Sequence, residues 1–246
     1  MSSAPPAKDP ARIAGMFDAI AARYDLLNRL LSGGQDRRWR ARAVESLGLT
    51  GQEVVLDLCT GTADLALAAA SSKPCARRVI GVDFAGAMLM LGREKVRKAA
   101  ALGTTTIDLV RGDATQLPLG NASIDRATIG FGIRNVEQPE RACRELARVM
   151  RPGGTLAILE FSLPRSAALR SFYLWYFRQV LPIIGRAISR HPTAYSYLPE
   201  SVEAFPSPQD FSHLLRGSGF SSVRVVPLTF GVVYLFVAVK GNTGAV

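Results

Sequence analysis

The chain has few residues of the kinds that bind metals or form disulfides. Its 246 residues include three cysteines and two histidines. Cys59, Cys75 and Cys143 are widely separated, without C-x-x-C spacing. Such a set provides neither a disulfide framework nor a zinc site. We therefore predict a metal-free protein with reduced cysteines, as is typical of the cytoplasm.

Long apolar runs are also missing. The longest, residues 228–239, is too short to span a bilayer and fits a β-strand better. Residues 1–10 are rich in Ala, Ser and Pro, so we expect a disordered tail there rather than a signal peptide or membrane anchor. With 48% hydrophobic residues the chain can bury one large core, and we predict a single domain over residues 11–240.

The turn after the first predicted strand contains only one glycine. The apolar run Val54–Leu58 predicts a buried parallel strand, and residues 60–62, Thr-Gly-Thr, lead into a helix. A dinucleotide site needs the spaced glycines of G-x-G-x-x-G, so that a pyrophosphate can reach the helix N-terminus. Gly61 stands alone between Asp57 and Asp64. This turn repels phosphate and suits a cationic ligand.

Two further acids follow predicted strands. Asp83 ends the run Val-Ile-Gly-Val-Asp, where a carboxylate can accept hydrogen bonds from both hydroxyls of a ribose. Asp113 follows the third run, where it can read an adenine amino group or cap a turn. A ligand with a ribose, an adenine and a sulfonium but no phosphate is S-adenosylmethionine. The pattern therefore predicts S-adenosylmethionine as the cofactor and methyl donor.

Short β-type runs alternate with helical segments, which predicts a largely parallel sheet covered by helices. The last two runs are joined only through residues 229–231, too short for a crossover helix, so we predict an antiparallel hairpin. A mostly parallel seven-stranded sheet ending in such a hairpin is the Rossmann-like class I methyltransferase variant of the α/β fold. The predicted strands are residues 54–58, 79–82, 107–110, 124–130, 155–161, 223–227 and 232–239.

Four longer segments carry a more specific pattern. They are residues 24–39, beginning Tyr-Asp-Leu-Leu-Asn and ending in Trp; residues 130–136, Gly-Phe-Gly-Ile-Arg-Asn-Val; residues 148–162, with Arg-Pro-Gly-Gly and Leu-Glu-Phe-Ser; and residues 195–206. The Arg-Pro-Gly-Gly turn occurs in many methyltransferases, whereas the first two segments are much more specific. Together they resemble the ubiquinone/menaquinone biosynthesis C-methyltransferase family, over about residues 17–240.

We also predict a helical N-terminal arm and, after the fifth strand, a helical insertion that forms a lid at about residues 165–205. The resemblance implies methyl transfer from S-adenosylmethionine to a ring carbon of a polyprenylated quinol. Demethylmenaquinol becoming menaquinol is the reaction we favour. The alternative is methylation of the methoxy-quinol of ubiquinone synthesis, or both reactions.

The resemblance also extends the predicted cofactor site. Combined with the acids and the glycine above, the family's cofactor positions give the set Asp57, Gly61, Thr62, Asp83, Asp113 and Ala114. A further family position, often Ser, falls on Gly130, which offers only backbone groups. Asp36, Leu27 and Arg151 stand where the family usually has His, Met and Lys. None of these changes removes an acid that the ribose or the adenine needs.

Arg134 and Asn135 are the predicted catalytic residues, because the end of the fourth strand lies beside the methyl donor in this fold. A ring carbon next to a phenolate can attack the sulfonium methyl once the two are positioned and the phenol proton is accepted. Arginine is too basic for a general base, so we expect Arg134 to stabilise the phenolate while a water accepts the proton. A structural salt bridge is the alternative for Arg134. The predicted substrate-binding residues, with core packing as the alternative, are Tyr24, Tyr195 and Tyr197.

The net charge of +10 fits an anionic membrane surface or a nucleic acid. Residues 169–188 mix apolar, aromatic and arginine residues, which fits a lid over an isoprenoid channel, a homodimer face, a membrane contact or core packing. We expect a cytoplasmic protein able to contact the inner face of the cytoplasmic membrane. Nucleic acid is not expected, because no basic block is interleaved with stacking aromatics. An RNA-binding protein or RNA methyltransferase is the alternative from another class.

Overall fold

A computed structural model of the protein describes residues 10–100, 105–164 and 193–242, and six residues between the last two ranges. The helices of these residues are α1 (Pro10–Leu31), α2 (Asp36–Ser46), α3 (Asp64–Ser71), α4 (Gly86–Ala99), α5 (Pro139–Val149), α6 (Thr193–Glu203) and α7 (Pro208–Gly217). The strands are β1 (Val54–Leu58), β2 (Arg78–Asp83), β3 (Thr106–Arg111), β4 (Ile124–Gly130), β5 (Met150–Phe161), β6 (Phe220–Leu228) and β7 (Val233–Lys240).

All seven strands form one sheet, in the order β3-β2-β1-β4-β5-β7-β6. The first five pair in parallel, and β7 is antiparallel to both of its neighbours. A single 3-10 turn, Thr229–Gly231, joins β6 to β7. The predicted mostly parallel sheet with its C-terminal hairpin is therefore confirmed. Because the strand order reverses between β1 and β4, their carboxyl ends open a crevice there.

Helices cover both faces of the sheet, and this explains why every residue of β1 is buried. Val55 belongs to the core cluster that includes residues of α2 and α3. Its neighbour Leu56 belongs to the cluster on the opposite face, which includes residues of α5 and α7. A strand buried on both faces favours apolar residues, and in Val54–Leu58 only Asp57 departs from this pattern.

The fifth strand begins earlier than the sequence predicts. Met150 already pairs with Ile124, and Thr155 pairs with Arg126, so the four residues between them bulge out of the ladder. The Pro-Gly-Gly composition of this bulge reads as a turn in the sequence, which is why the prediction started the strand at Thr155. Asp125, opposite the bulge, pairs with Arg151 and accepts a hydrogen bond from the Val54 amide at 2.8 Å.

The N-terminal helix α1 lies across the carboxyl edge of the sheet. Ala21 packs in a small cluster with Ala85 and Met88, at the start of α4. Asp18 Oδ1 accepts a hydrogen bond from the Ala87 amide of α4 at 2.8 Å. These contacts hold α1 over the crevice between β1 and β4. No helix within the described ranges is long and apolar enough to cross a membrane.

Candidate functional site

The crevice beneath α1 contains two small cavities, of about 40 and 30 Å³. Tyr24 of α1 and Gly61 of the first turn line both. The larger cavity reaches Asp83 at the end of β2, and the smaller reaches Arg40 and Asp64. Together they form a strip under α1, with a carboxylate at one end and a pair of opposite charges at the other. An open groove of about 790 Å³, between α2 and α3, shares Arg40 and Asp64 with the smaller cavity but is lined by none of the predicted site residues.

Asp57 holds the turn that follows β1. Its Oδ2 accepts hydrogen bonds from Thr60 Oγ1 at 2.6 Å and from the Ala66 amide at 3.1 Å. Its Oδ1 accepts one from Thr128 Oγ1 of β4 at 2.8 Å. Burial raises the pKa of Asp57 to about 6, and the hydrogen bonds from Thr60, Thr128 and Ala66 oppose that rise. The described contacts of this carboxylate therefore fix the turn against β4.

The same turn has a strained backbone. Cys59, Gly61 and Ala63 have φ of 55°, 54° and 67°, a left-handed region that only glycine adopts at little cost. In this conformation the Gly61 amide donates to Asp83 Oδ2 at 2.8 Å. Asp83 Oδ1 accepts from the Ala85 amide at 2.9 Å, and burial raises the pKa of Asp83. The Asp83 carboxylate is thus clamped between two turns at the carboxyl edge.

Thr62 is tied to both α1 and α4. Its hydroxyl donates to Asp25 Oδ1 at 2.7 Å and accepts from Lys95 Nζ at 2.9 Å. Lys95 also pairs with Asp25 at 2.5 Å and with Asp64 at 2.7 Å. Arg40 of α2 pairs with Asp64 at 3.2 Å. This charge network joins α1, α2, α3 and α4. Arg40 also pairs with Asp36 of its own helix at 2.6 Å. Sequence reasoning missed Lys95 and Arg40, because the contacts of both residues with Asp64 join segments that are far apart along the chain.

Asp113 and Ala114 do not line either cavity. Asp113 is exposed, and its Oδ1 accepts hydrogen bonds from the Thr115 amide at 2.7 Å and from Thr115 Oγ1 at 2.9 Å. It therefore caps its own turn, as the alternative interpretation expects. The Gly112 amide donates to the Asp83 carbonyl at 2.9 Å, which places Asp113 next to Asp83 along the sheet edge. Ala114 packs against the core on the α5 side.

Arg134 forms a buried ion pair. Its Nη1 donates to Glu160 Oε1 at 2.6 Å and to the Phe131 carbonyl, and the side chain is only 6% exposed. Glu160 is fully buried and also accepts from the Phe161 amide at 2.9 Å. Burial lowers the pKa of Arg134, but the Glu160 carboxylate, together with Tyr24 and Tyr197, outweighs this effect and the pKa is raised. Sequence reasoning did not single out Glu160, although a charge inside an apolar strand was a usable signal.

Asn135 connects the crevice to α6. It lines the cavity that reaches Asp83, and its Oδ1 accepts a hydrogen bond from Tyr197 OH at 3.1 Å. Ser201, one helical turn beyond Tyr197, lies 3.4 Å from Arg134 Nε. Helix α6 therefore packs against both predicted catalytic residues. Burial raises the pKa of Tyr197.

The three predicted substrate-binding tyrosines differ in their position relative to the crevice. Tyr24 faces both cavities and contacts Phe17 edge to face at 6.0 Å, and burial raises its pKa. Tyr197 reaches the rim of the crevice through Asn135. The Tyr195 side chain lies outside the described residues, as does most of residues 169–188. Their predicted roles stay predictions.

Gly130 packs directly against the Leu65 side chain of α3. A Cβ added at Gly130 would lie 2.6 Å from Leu65 Cδ1, which is closer than such atoms can approach. Leu65 is buried and lines the smaller cavity. A serine at position 130 would therefore require Leu65 to move. The absence of a side chain at Gly130 and the size of Leu65 thus depend on each other.

Known structures share this fold. A methyltransferase from Thermotoga maritima described as SAM-dependent aligns with a TM-score of 0.63 at 20% identity, over 93% of this chain and 99% of that one. A Haemonchus contortus phosphoethanolamine N-methyltransferase in complex with S-adenosylhomocysteine aligns with a TM-score of 0.61 at 15% identity, over 82% of this chain and 52% of that one. At such low identity these likenesses establish the fold alone.

Sequence relatives are much closer. The ubiquinone/menaquinone biosynthesis C-methyltransferase UbiE of Geobacter sp. (strain M21) is 45% identical, over 93% of this chain and 96% of that protein. The demethylmenaquinone methyltransferase of Thermus thermophilus is 48% identical, over 90% of this chain and 98% of that protein. The ubiE/COQ5 methyltransferase family matches residues 6–240. With this match and these relatives, the chain belongs to the ubiE/COQ5 methyltransferase family.

Proposed function

We propose that the protein transfers the methyl group of S-adenosylmethionine to a ring carbon of a polyprenylated quinol, with demethylmenaquinol as the leading substrate. The observation that carries this proposal is the crevice at the end of β1 and β4, where Asp83, Tyr24 and Asn135 line one cavity. Relatives named for demethylmenaquinone and for ubiquinone/menaquinone biosynthesis support a quinol substrate. The same names make the methoxy-quinol of ubiquinone synthesis the second candidate.

The charges along the crevice match the two ends of the cofactor. Asp83 would accept hydrogen bonds from the ribose, and Asp113 or Ala114 beside it would meet the adenine. At the other end, Arg40 and Asp64 are 3.2 Å apart and would pair with the carboxylate and the ammonium of the methionine part. The Gly61 and Thr62 turn would lie along the ligand between these ends. Asp57 would act by holding that turn.

Helix α1 has to move for this ligand to enter. Sites for small molecules usually occupy roughly 300 Å³ or more, whereas the cavities under α1 are about 40 and 30 Å³. The Lys95 network holds α1 in the closed position through Asp25 and Thr62. Opening and closing of α1 would therefore admit the cofactor and then shield the reaction from water.

The protein's chemical task is positioning and charge control. The S-adenosylmethionine sulfonium supplies the methyl group, and the quinol ring carbon supplies the electron pair. Holding them in line is worth up to about 7–11 kcal/mol of the barrier. Tyr24, Tyr195 and Tyr197 would line the quinol pocket, and a water beside Asn135 would accept the phenol proton.

Arg134 would stabilise the phenolate only in part, because Glu160 already balances its charge. In this proposal Glu160 fixes the guanidinium, and the substrate oxygen meets the N–H groups that point away from Glu160. A fixed donor in a buried site stabilises a developing negative charge without reorganisation. We place this reaction at the cytoplasmic face of the membrane, where S-adenosylmethionine in solution would meet a polyprenylated quinol held in the bilayer.

The first prediction concerns the substrate. Incubated with labelled S-adenosylmethionine, the purified protein is expected to label chemically reduced demethylmenaquinol and to leave the oxidised quinone and total RNA unlabelled, because only the quinol forms a phenolate. The methoxy-quinol of ubiquinone synthesis, assayed in parallel, distinguishes the two quinol candidates. Label in RNA, or in no acceptor while the cofactor binds, contradicts the proposal.

The second prediction concerns Asp83. Asp83→Asn removes the charge that would bind the ribose, and the dissociation constant for S-adenosylmethionine is expected to rise roughly 10-fold to 100-fold. Isothermal titration calorimetry measures this change. The control is Asp108→Asn, which alters an exposed carboxylate of β3 that pairs with Arg78 of β2. This variant is expected to bind S-adenosylmethionine as the wild type does. Equal affinity of the Asp83 variant and the wild type would refute the assignment.

The third prediction concerns Arg134. Arg134→Lys leaves a cation beside Glu160, so the variant is expected to fold, but it lacks the planar guanidinium. We expect kcat to fall about 100-fold while cofactor affinity stays within about twofold. Arg126→Lys, at the opposite end of β4, is the matched control, and thermal unfolding monitors stability. An unchanged kcat would restrict Arg134 to a structural role.

The fourth prediction concerns Lys95. Lys95→Met removes the cation that links Asp25 of α1 to Asp64, and the two carboxylates then repel each other. Amide hydrogen exchange in α1 is expected to become faster, as is cofactor association. Lys98→Met on the same helix removes an exposed pair with Glu94 and serves as the control. If α1 exchanges at the same rate in both variants, the network does not hold it closed.

A further inference from the structure

The two cavities under α1 adjoin where their lining carries no charge. Five residues line both cavities, and they are Tyr24, Cys59, Gly61, Gly130 and Phe131. Burial raises the pKa of the Cys59 thiol well above its ordinary value, so this side chain is neutral as well. Asp83 lines only the larger cavity, whereas Arg40 and Asp64 line only the smaller one. The charged groups are therefore at the two ends of the strip, and the junction between the cavities is apolar and aromatic.

The sulfonium group of S-adenosylmethionine belongs at this junction. The assignment rests on the proposed function, in which Asp83 holds the ribose while Arg40 and Asp64 hold the amino-acid end of the ligand. The sulfonium joins the ribose to the methionine chain, so it lies between these two ends. A cation that leaves water needs a partner that replaces part of its hydration.

The carboxylates near the junction are already engaged. Asp57 accepts three hydrogen bonds, and Asp83 accepts two from backbone amides. Asp64 pairs with Lys95 at 2.7 Å and with Arg40 at 3.2 Å. None of the three carboxylates lines both cavities. The face of an aromatic ring is the partner that remains for a cation at the junction.

Phe131 offers an aromatic ring on a fixed part of the fold. Tyr24, the other aromatic residue of the junction, belongs to α1, which has to move for the ligand to enter. Phe131 directly follows β4, and its ring packs on Phe161 with 4.5 Å between the centroids and on Trp39 with 6.0 Å. Phe131 is nevertheless only half-buried and lines both cavities, so part of it borders the crevice.

The backbone of Phe131 is strained and held in place. Its φ of 59° lies in the left-handed region, which is costly for a bulky residue. Its carbonyl accepts hydrogen bonds from Arg134 and Asn135, and its amide donates to a β5 carbonyl at 2.8 Å. A Cβ added at Gly132 would lie 2.3 Å from Cys59 Cβ, so the turns after β4 and β1 are in close contact. These contacts fix the position of the ring beside the crevice.

We propose that the ring of Phe131 binds the sulfonium of S-adenosylmethionine by a cation–π interaction and makes the site prefer this ligand to S-adenosylhomocysteine. In methyl transfer the quinol carbon forms the new bond to the methyl group, the electron pair of the broken bond stays on sulfur, and the displaced ring proton goes to water. The sulfur is then a neutral thioether, and the Phe131 ring no longer has a cation to bind. Phe131 is thus a specificity-determining residue that distinguishes the methyl donor from its product.

Isothermal titration calorimetry of the full chain, without any quinol, tests the proposal. Phe131→Leu keeps an apolar side chain but removes the aromatic face. The dissociation constant for S-adenosylmethionine is expected to rise roughly tenfold. The dissociation constant for S-adenosylhomocysteine is expected to stay within about twofold, because the thioether carries no charge. The ratio of the two constants is the readout, since a loss of packing alone would change both.

A second variant separates the charge of the ring from its volume. Incorporation of 3,4,5-trifluorophenylalanine at position 131 nearly preserves the shape of the side chain, whereas the fluorine atoms withdraw negative charge from the ring face. This variant is expected to unfold thermally as the wild type does and to weaken S-adenosylmethionine binding about threefold to tenfold. Its affinity for S-adenosylhomocysteine is expected to be unchanged. The test therefore does not depend on the stability of the leucine variant.

Phe84→Leu is the matched control. Phe84 is also half-buried, but it lines only the larger cavity, next to Asp83. Any change that this variant causes is expected to be the same for both ligands, so that the ratio of their dissociation constants stays as in the wild type. Tyr24→Leu is measured in parallel, because Tyr24 is the other aromatic residue of the junction.

Three results would overturn the proposal. They are a wild-type ratio in both Phe131 variants, an equal weakening of both ligands in Phe131→Leu, and a change of the ratio in Tyr24→Leu alone. Because the titrations need no methyl acceptor, their outcome is separate from that of the quinol assay. A changed ratio without label in any quinol supports the role of Phe131 and removes the quinol substrate. Labelled quinol with an unchanged ratio does the reverse.

Discussion

One buried carboxylate organises the crevice. Asp57 lies between β1 and β4, where removing water from a charge is costly, and hydrogen bonds from Thr60, Ala66 and Thr128 offset that cost. These bonds hold the turn after β1 in its left-handed conformation, which aims the Gly61 amide at Asp83. The position of Asp83, and through Thr62 the anchoring of α1, depend on this turn.

Charge is divided between the crevice and the outer surface. The cations at the crevice, Arg40, Lys95 and Arg134, are all paired with carboxylates. The chain as a whole is nevertheless basic, with a net charge of +10. The excess positive charge therefore lies away from the site. Under the proposed function, the pairing of these cations inside the crevice suits a cationic methyl donor.

Much of the fold was predictable from short apolar runs. The bounds of β1 and β4 agree with the sequence prediction, because buried parallel strands are rich in apolar and β-branched residues. The start of β5 was not predictable. Pro-Gly-Gly forms a bulge within the strand, and the pairing with β4 continues on both sides of that bulge. The acids at strand ends were predictable as a group, since parallel strands end at one edge. Asp113 shows the limit, because a turn cap and a ligand contact have the same sequence signal.

By itself the sequence determined the sheet, its hairpin, and the edge at which Asp57, Asp83 and Gly61 meet, since strand period and turn composition are local properties. Only the tertiary structure decided which charged side chains pair with each other. Arg134 is neutralised by Glu160, and Lys95 joins Asp25 to Asp64, through contacts between segments far apart in the chain. Ion pairing depends on distances of a few ångströms across the folded chain, and no local pattern encodes those distances.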